Sequence, residues 1–464
     1  MIILSVLGII AVVFFGFLFI DALLPDENIL ARMSLGYPFG IGAFTFVLYI
    51  LNLLGIPYRV GDTSLVLLVL VIFSFLINLF SKRLRKRKLF EYNLKVKMEF
   101  RKLGLVEKII FGCIFLLFVS SFINSVYWPV TTWDSLVLYD FRAKSFLATG
   151  FMSDAISRGY FFSYPLLTSL AHMWGYMLGF KTPVFLYSIF YISLITFFYF
   201  SIRKFGGRTL SALFTLLLAI NLVIFQHSQI AYTNLPYLAY FTPASALLVL
   251  ATRAKNKLPL LFISAVFFGL STWTRSGEPF WLIGVVMGIV VSIVSKKYFG
   301  VVFFSLFVAM FYYPWKIQEY TYGGAGNELI SSAPSLVSAL VNNMEWSRVK
   351  DVSIYFWKYV VLSYSSLLLA LFATVPFFIA YKNKLVKKVA VILGIIVGIL
   401  AFIFAGTYIF SVSLVNWRDI GDSSRRASLI LVPLILLYLA LFFSGFVKIV
   451  KGRRIRGYQN PKNG

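Results

Sequence analysis

SLVLLVLVIFSFLINLFSKRLRKRK, residues 64–88, carries two signals from which the rest of the chain can be read. Ser64 to Phe80 holds no charge and is long enough, at the lower limit, to cross a hydrocarbon core of about 30 Å as a helix. Lys82-Arg83-Leu84-Arg85-Lys86-Arg87-Lys88 follows at once, and such clusters of Lys and Arg are retained on the cytoplasmic side. One stretch therefore supplies both a span and its direction.

Runs of the same kind recur along all 464 residues. Hydrophobic residues make up 60% of the chain, charged residues 13%, and mean hydropathy is +0.87; a soluble domain is seldom more than half apolar. The runs predict an all-α, polytopic bundle of about thirteen spans, near 1–20, 38–56, 64–80, 109–128, 183–202, 209–225, 236–252, 258–274, 279–295, 298–314, 354–381, 389–411 and 428–447. Alternation of apolar and polar residues is absent, which argues against an outer-membrane barrel. Residues 1–20 lack a basic start and a small-residue cleavage site, so they read as a retained helix. The single cysteine, Cys113, lies inside an apolar run, and two histidines, His172 and His227, do not make a zinc site alone.

The formal charge is +26, which on a soluble protein would suggest nucleic acid. Its distribution says otherwise. If the basic stretch after residue 81 is inside, so are 21–37, 203–208, 253–257, 296–297, 382–388 and the tail from Lys448. Together these segments hold 30 of the 43 Lys and Arg but 6 of the 17 acidic residues. The basicity is thus a topology signal, reinforced by anionic lipid at the inner surface. The pattern puts a multi-pass protein in the plasma membrane, N-terminus outside and C-terminus cytoplasmic, and leaves no role for nucleic acid. It also requires that the apolar segment 164–180 does not cross, since otherwise every later basic connection would be translocated.

Polar chemistry collects in the outside segments: 129–163, 315–353, the turn from Arg275 to Glu278, and 412–427. The first opens Trp128-Pro129-Val130-Thr131-Thr132-Trp133-Asp134, followed by an interfacial helix over Ser135 to Ala148. Asp134 reads either as the cap of that helix or as a general base for an acceptor hydroxyl. Asp140 and Lys144, four apart, share one face. Arg275, Arg425 and Arg426 lie on the translocated side, against the usual bias. They are either interfacial anchors or phosphate ligands, because guanidinium matches phosphate oxygens. Arg142, Lys144 and Arg158 carry a weaker version of the same claim, and Arg275 with Glu278 across their short turn also reads as a local ion pair. Trp315, Trp346 and Trp417, at outer boundaries, read as belt anchors or as platforms for sugar. Gly323-Gly324-Ala325-Gly326 makes the 315–353 loop flexible in composition.

The ordered set resembles the GT-C superfamily of polyprenyl-phosphate-sugar-dependent glycosyltransferases, which includes protein O-mannosyltransferases and aminoarabinose transferases. An acidic residue early in the first external loop is matched by Asp134 in Thr132-Trp133-Asp134-Ser135. Ser163-Tyr164-Pro165-Leu166-Leu167 is similar to the later Pro-Pro-Leu element, with one proline. Trp273-Thr274-Arg275-Ser276-Gly277-Glu278-Pro279 is similar to a later external turn containing Arg or Lys and Glu, and Asp422-Ser423-Ser424-Arg425-Arg426, followed by Leu429 to Pro433, is similar to the late Ser-x-Arg start of a final helix. The resemblance spans about residues 109–448. It implies an inverting transfer from a lipid-linked sugar donor to a lipid, glycan or protein acceptor outside the cytoplasm. Asp134 would be the base, with Arg275, Glu278, Arg425, Arg426, Lys144 and Arg142 binding the donor phosphate or sugar. It divides the chain into 1–108, a three-helix extension with a basic cytoplasmic loop, and 109–464, the catalytic domain.

The extension departs from the best-known relatives, and no soluble domain follows the last span, unlike in oligosaccharyltransferases. No acidic pair on two loops announces a metal site, so dependence on a divalent metal stays open. The competing readings are a polymerase or ligase of lipid-linked saccharides, a transporter or flippase, and a membrane scaffold. A transporter should show paired half-repeats and broken helices lined with mid-membrane polar groups, and the charges here sit at helix ends.

Overall fold

The computed structural model describes residues 2–84, 103–156, 164–275, 279–322, 345–380, 386–413, 417–419 and 421–459. Every described element is helical. Helices α1 (Ile2–Leu23), α2 (Ile29–Leu53), α3 (Val60–Leu84) and α4 (Leu105–Tyr127) precede the long loop that the charge pattern expects outside, the first outer loop. That loop carries a π-helical turn, Ser135–Asp140, running straight into α5 (Phe141–Thr149), then α6 (Met152–Ile156) and α7 (Leu167–Met177). The bundle continues with α8 (Phe185–Arg203), α9 (Arg208–Ala219), α10 (Leu222–His227), α11 (Asn234–Ala251), α12 (Leu258–Thr274), α13 (Phe280–Val294) and α14 (Phe299–Tyr322). Helix α15 (Trp346–Phe356) passes through a π turn and a 3-10 turn into α16 (Ser365–Ala380). Then come α17 (Val386–Ser413), α18 (Gly421–Ala427) and α19 (Leu431–Gln459).

Ten helical stretches among the described residues are long and apolar enough to cross a membrane, which makes this a multi-pass membrane protein. Three of the thirteen expected spans are shorter than that: Arg208–Ala219, Leu258–Thr274 and Phe280–Val294. The expected span at 209–225 is not one helix. It breaks after Ala219, where the Asn221 side chain accepts from the Ile224 amide at 3.1 Å and starts α10. The Ala219 carbonyl exposed by the break takes a hydrogen bond from the Tyr191 hydroxyl at 2.7 Å, as a freed backbone group in a membrane must. Helix α7 has 11 residues, so it is about 16 Å long and reaches half-way across a core of about 30 Å.

Contacts sort the connections into two ends. At one, Lys82 Nζ lies 3.1 Å from Asp21 Oδ2 and Lys204 Nζ 2.7 Å from Glu27 Oε2. There too Thr209 donates to Glu107 at 2.8 Å, and the Arg253 guanidinium sits 4.6 Å from the Phe205 ring centre. These are segments that the charge pattern gathers on one side. At the other end Asn52 donates to the Gly150 carbonyl at 3.1 Å, Asn124 to Gln229, and Arg348 to the Ser411 carbonyl.

The N-terminal helices share one apolar core with the rest. A Cβ on Gly16 would collide with the Gly36 carbonyl oxygen, and one on Gly40 with the Val12 carbonyl oxygen. Glycines four apart on α2 thus let the two backbones touch, the usual route to helix association in lipid. The other face of α2 reaches far along the chain. The Tyr37 hydroxyl donates to the Leu186 carbonyl at 3.0 Å, Trp273 Nε1 to Thr45 Oγ1 at 3.1 Å, and the Tyr49 hydroxyl to the Pro314 carbonyl at 2.8 Å. Trp315 is wholly buried in this core and is therefore not a belt anchor, whereas Trp346 is exposed.

Candidate functional site

Asp134 follows the exposed Trp133 at the mouth of the first outer loop. Its backbone is already α-helical and its side chain makes no capping bond, so it is not the N-cap considered for the next helix. The carboxylate faces across the bundle instead. Arg426 Nη1 donates to Asp134 Oδ2 at 2.7 Å, joining residues 292 positions apart, with the two side chains 25% and 34% exposed. Arg426 is itself fixed twice. Its guanidinium lies 5.3 Å from the Tyr232 ring centre, and its carbonyl accepts from Asn234 Nδ2 at 3.2 Å.

The pair borders a cavity of about 250 Å3. One wall comes from the first outer loop and from α11 to α13: Asp134, Tyr139, Tyr164, Tyr232, Asn234, Arg275 and Phe280. The rest of the lining includes Tyr355 of α15, Phe402, Ile403, Thr407 and Phe410 of α17, Trp417, and Ser424, Arg426 and Ala427 of α18. It belongs in part to a small separate apolar cluster of Val352, Tyr355, Tyr408 and Trp417. The lining therefore combines charged and aromatic groups with an apolar patch from α17.

Arg275 terminates α12, leaving the helix in an extended conformation while its amide still bonds the Ser271 carbonyl. It is nearly buried, and its guanidinium stands 5.2 Å from the Tyr164 ring centre. Of the candidates from sequence, then, Asp134, Arg275 and Arg426 line one cavity. Arg425 does not: its side chain is exposed while its carbonyl accepts from the Tyr364 hydroxyl at 3.0 Å. Neighbours on a helix point about 100° apart, so only one of two adjacent arginines can face a given cavity. Glu278, Arg158 and Gly323-Gly324-Ala325-Gly326 lie outside the described residues.

Arg142 and Lys144 flank the site without lining it. Lys144 Nζ is 2.7 Å from Asp140 Oδ2, the expected one-turn pair. Asp140 is almost fully buried, takes a hydrogen bond from the Tyr176 hydroxyl, and lies 3.5 Å from His172 Nδ1. Burial pushes its carboxyl up, but His172, Lys144 and Tyr176 together outweigh that and hold it at about 2. Burial lowers the His172 imidazole more than Asp140 raises it, and its Nε2 meets the Tyr187 hydroxyl at 3.0 Å. This network clips α5 to α7. His227 is likewise buried, its Nδ1 2.7 Å from the Val223 carbonyl. Burial raises the Tyr139 hydroxyl well above the usual phenol range, so it stays neutral, and it lies 3.2 Å from Thr233 Oγ1.

Tyr232, Asn234, Thr407 and Phe402 were not singled out from the sequence, and nothing there could have done so. Tyr232 is one of 27 tyrosines, and only the fold separates it from those facing lipid. Among the described residues no three His, Cys, Asp or Glu side chains gather in a way that would hold a metal ion. Compared with protein-family models, curated proteins and solved structures, the chain matches none.

Proposed function

We propose that this protein is a membrane glycosyltransferase of the inverting kind. It would take its sugar from a polyprenyl-phosphate donor and transfer it to an acceptor hydroxyl on the extracytoplasmic side of the plasma membrane. The observation that supports this best is the cavity itself: one carboxylate and two guanidinium groups around a single space that also carries an apolar patch from α17. Transfer breaks the bond between the anomeric carbon and the phosphate oxygen and forms one to the acceptor oxygen. The acceptor's proton goes to Asp134, and the departing phosphate gains negative charge. Arg275 and Arg426 are the groups to stabilise that charge. Phe402, Ile403 and Phe410 suit the first isoprene units of a lipid carrier.

The resting ion pair gives the site an order of events. While Arg426 holds Asp134, the carboxylate is engaged; a donor phosphate competing for Arg426 releases it to accept the proton. The broken helix between α9 and α10, the feature a transporter reading would need, does not line the cavity. The direct test is transfer of radiolabelled sugar from synthetic polyprenyl-phosphate sugars by the purified protein in lipid nanodiscs. Release of polyprenyl phosphate in step with labelled product is expected. No turnover of any such donor, with a protein that also fails to bind polyprenyl phosphate, would refute the reading.

A further inference from the structure

Resting on that reading of the cavity, we propose that Arg142 is a positioning residue. From behind the cavity wall it would set Tyr164 as the platform that aims Arg275 at the donor phosphate. Arg142 comes from a helix of the outer loop, yet its side chain is 0% exposed. A buried guanidinium is costly unless its position is used by hydrogen bonds and charge. Its Nη1 donates to the Tyr164 carbonyl at 2.7 Å, and its guanidinium carbon lies 5.7 Å from the Tyr139 ring centre. The Tyr139 and Tyr164 rings are 6.0 Å apart and both line the cavity, whereas Arg142 does not. The Tyr164 ring in turn carries the Arg275 guanidinium at 5.2 Å.

Tyr164 is thus held by its backbone from one arginine and presents its ring to another. Pro165 follows it and disfavours a helical backbone at Tyr164, which sits in a bend. What remains to be fixed is where that bend sits, and the Arg142 bond contributes to this. A planar guanidinium can lie on the Tyr139 ring and reach the carbonyl in its own plane; a lysine ammonium cannot do both. Displacements of about 1 Å at a charged group in an active site are enough to cost large factors in rate. Arg142 also adds a fixed positive charge behind a wall that receives a phosphate.

The test is a double-mutant cycle on the full-length protein in nanodiscs, with undecaprenyl phosphate as the probe. Arg275→Ala should weaken its binding about tenfold or more, the loss expected for a charged hydrogen bond. Arg142→Lys should weaken it several-fold in the wild-type background and leave it unchanged in the Arg275→Ala background, because the two act through one contact. Tyr164→Leu, which removes the ring but keeps the carbonyl, should show the same dependence, and serves if Arg142→Lys does not fold. A purely structural Arg142 would lower the melting temperature equally in both backgrounds and shift phosphate binding in neither. Additive losses, or unchanged affinity in Arg142→Lys or Tyr164→Leu alone, would overturn the positioning role while leaving the phosphate site standing. Unchanged affinity in Arg275→Ala would overturn the phosphate site itself.

Discussion

If the cavity transfers sugar as proposed, replacing Asp134 by Asn should move donor binding and turnover in opposite directions. Asn keeps the shape of the side chain but removes the charge that holds Arg426 at 2.7 Å. A charged hydrogen bond contributes ~1.5–3 kcal/mol when desolvated, and an exposed ion pair ~0.2–1 kcal/mol. With side chains 25% and 34% exposed, this pair falls between those limits. Its loss should release about 1 kcal/mol for phosphate to use, about a fivefold gain in affinity. Removing a negative charge beside an anionic ligand acts in the same direction. Turnover should fall by roughly 10²–10⁴-fold, the usual contribution of a positioned base. Undecaprenyl phosphate binding in nanodiscs measures the first effect, and single-turnover transfer with saturating donor measures the second. Weaker phosphate binding by the Asn variant would mean that Asp134 helps to hold the donor and that Arg426 is not shared. Near-normal turnover would remove Asp134 as the base.

Two further outcomes follow from the outer loop. Asp140 is held at about 2, below its ordinary 3.8, so its contribution to stability is complete above about pH 4 and is lost as pH falls toward 2. Asp140→Asn should lower the melting temperature at neutral pH and flatten its decline between about pH 4 and 2; a variant that keeps the wild-type slope there would refute the assignment. In a Cys113→Ala background, Trp133→Cys and Lys181→Cys should react with an impermeant thiol reagent from the same side, and Lys204→Cys from the other. Labelling of positions 133 and 181 from opposite sides would mean that α7 crosses the membrane.

The spans were legible because each needs only length and hydropathy: α8 at Phe185–Arg203 and α11 at Asn234–Ala251 fall within two residues of their expected limits. The break at Ala219 was not, since it depends on the Tyr191 hydroxyl, a tertiary partner, to accept a freed carbonyl. Asp134 stood out as an acid in an aromatic outer loop, and Arg426 as a cation on the side that rarely carries one. That those two meet, and that Arg425 turns away, is set by the rotation of α18 against α11, which hydropathy does not encode. Arg142 was expected as a phosphate ligand from its place in the loop; its burial beneath Tyr139 and Tyr164 became visible only once the helix was docked. The Asp140–Lys144 pair needed no tertiary knowledge, because both partners lie on one helix.

Helix α2 has a consequence for how the protein is made. It enters the membrane early, and its seam with α1 can close at once through Gly16, Gly36 and Gly40. Its other face waits. Thr45 meets Trp273 only after 228 further residues have been synthesised, and Tyr49 meets Pro314 after 265. At about 5–20 residues per second, that is a delay of roughly ten to fifty seconds. Through that interval Tyr37 and Tyr49 wait for their distant carbonyls, whereas the Thr45 hydroxyl is already satisfied within α2 by the Ile41 carbonyl at 2.8 Å. The nascent chain is therefore exposed to membrane quality control for most of its synthesis.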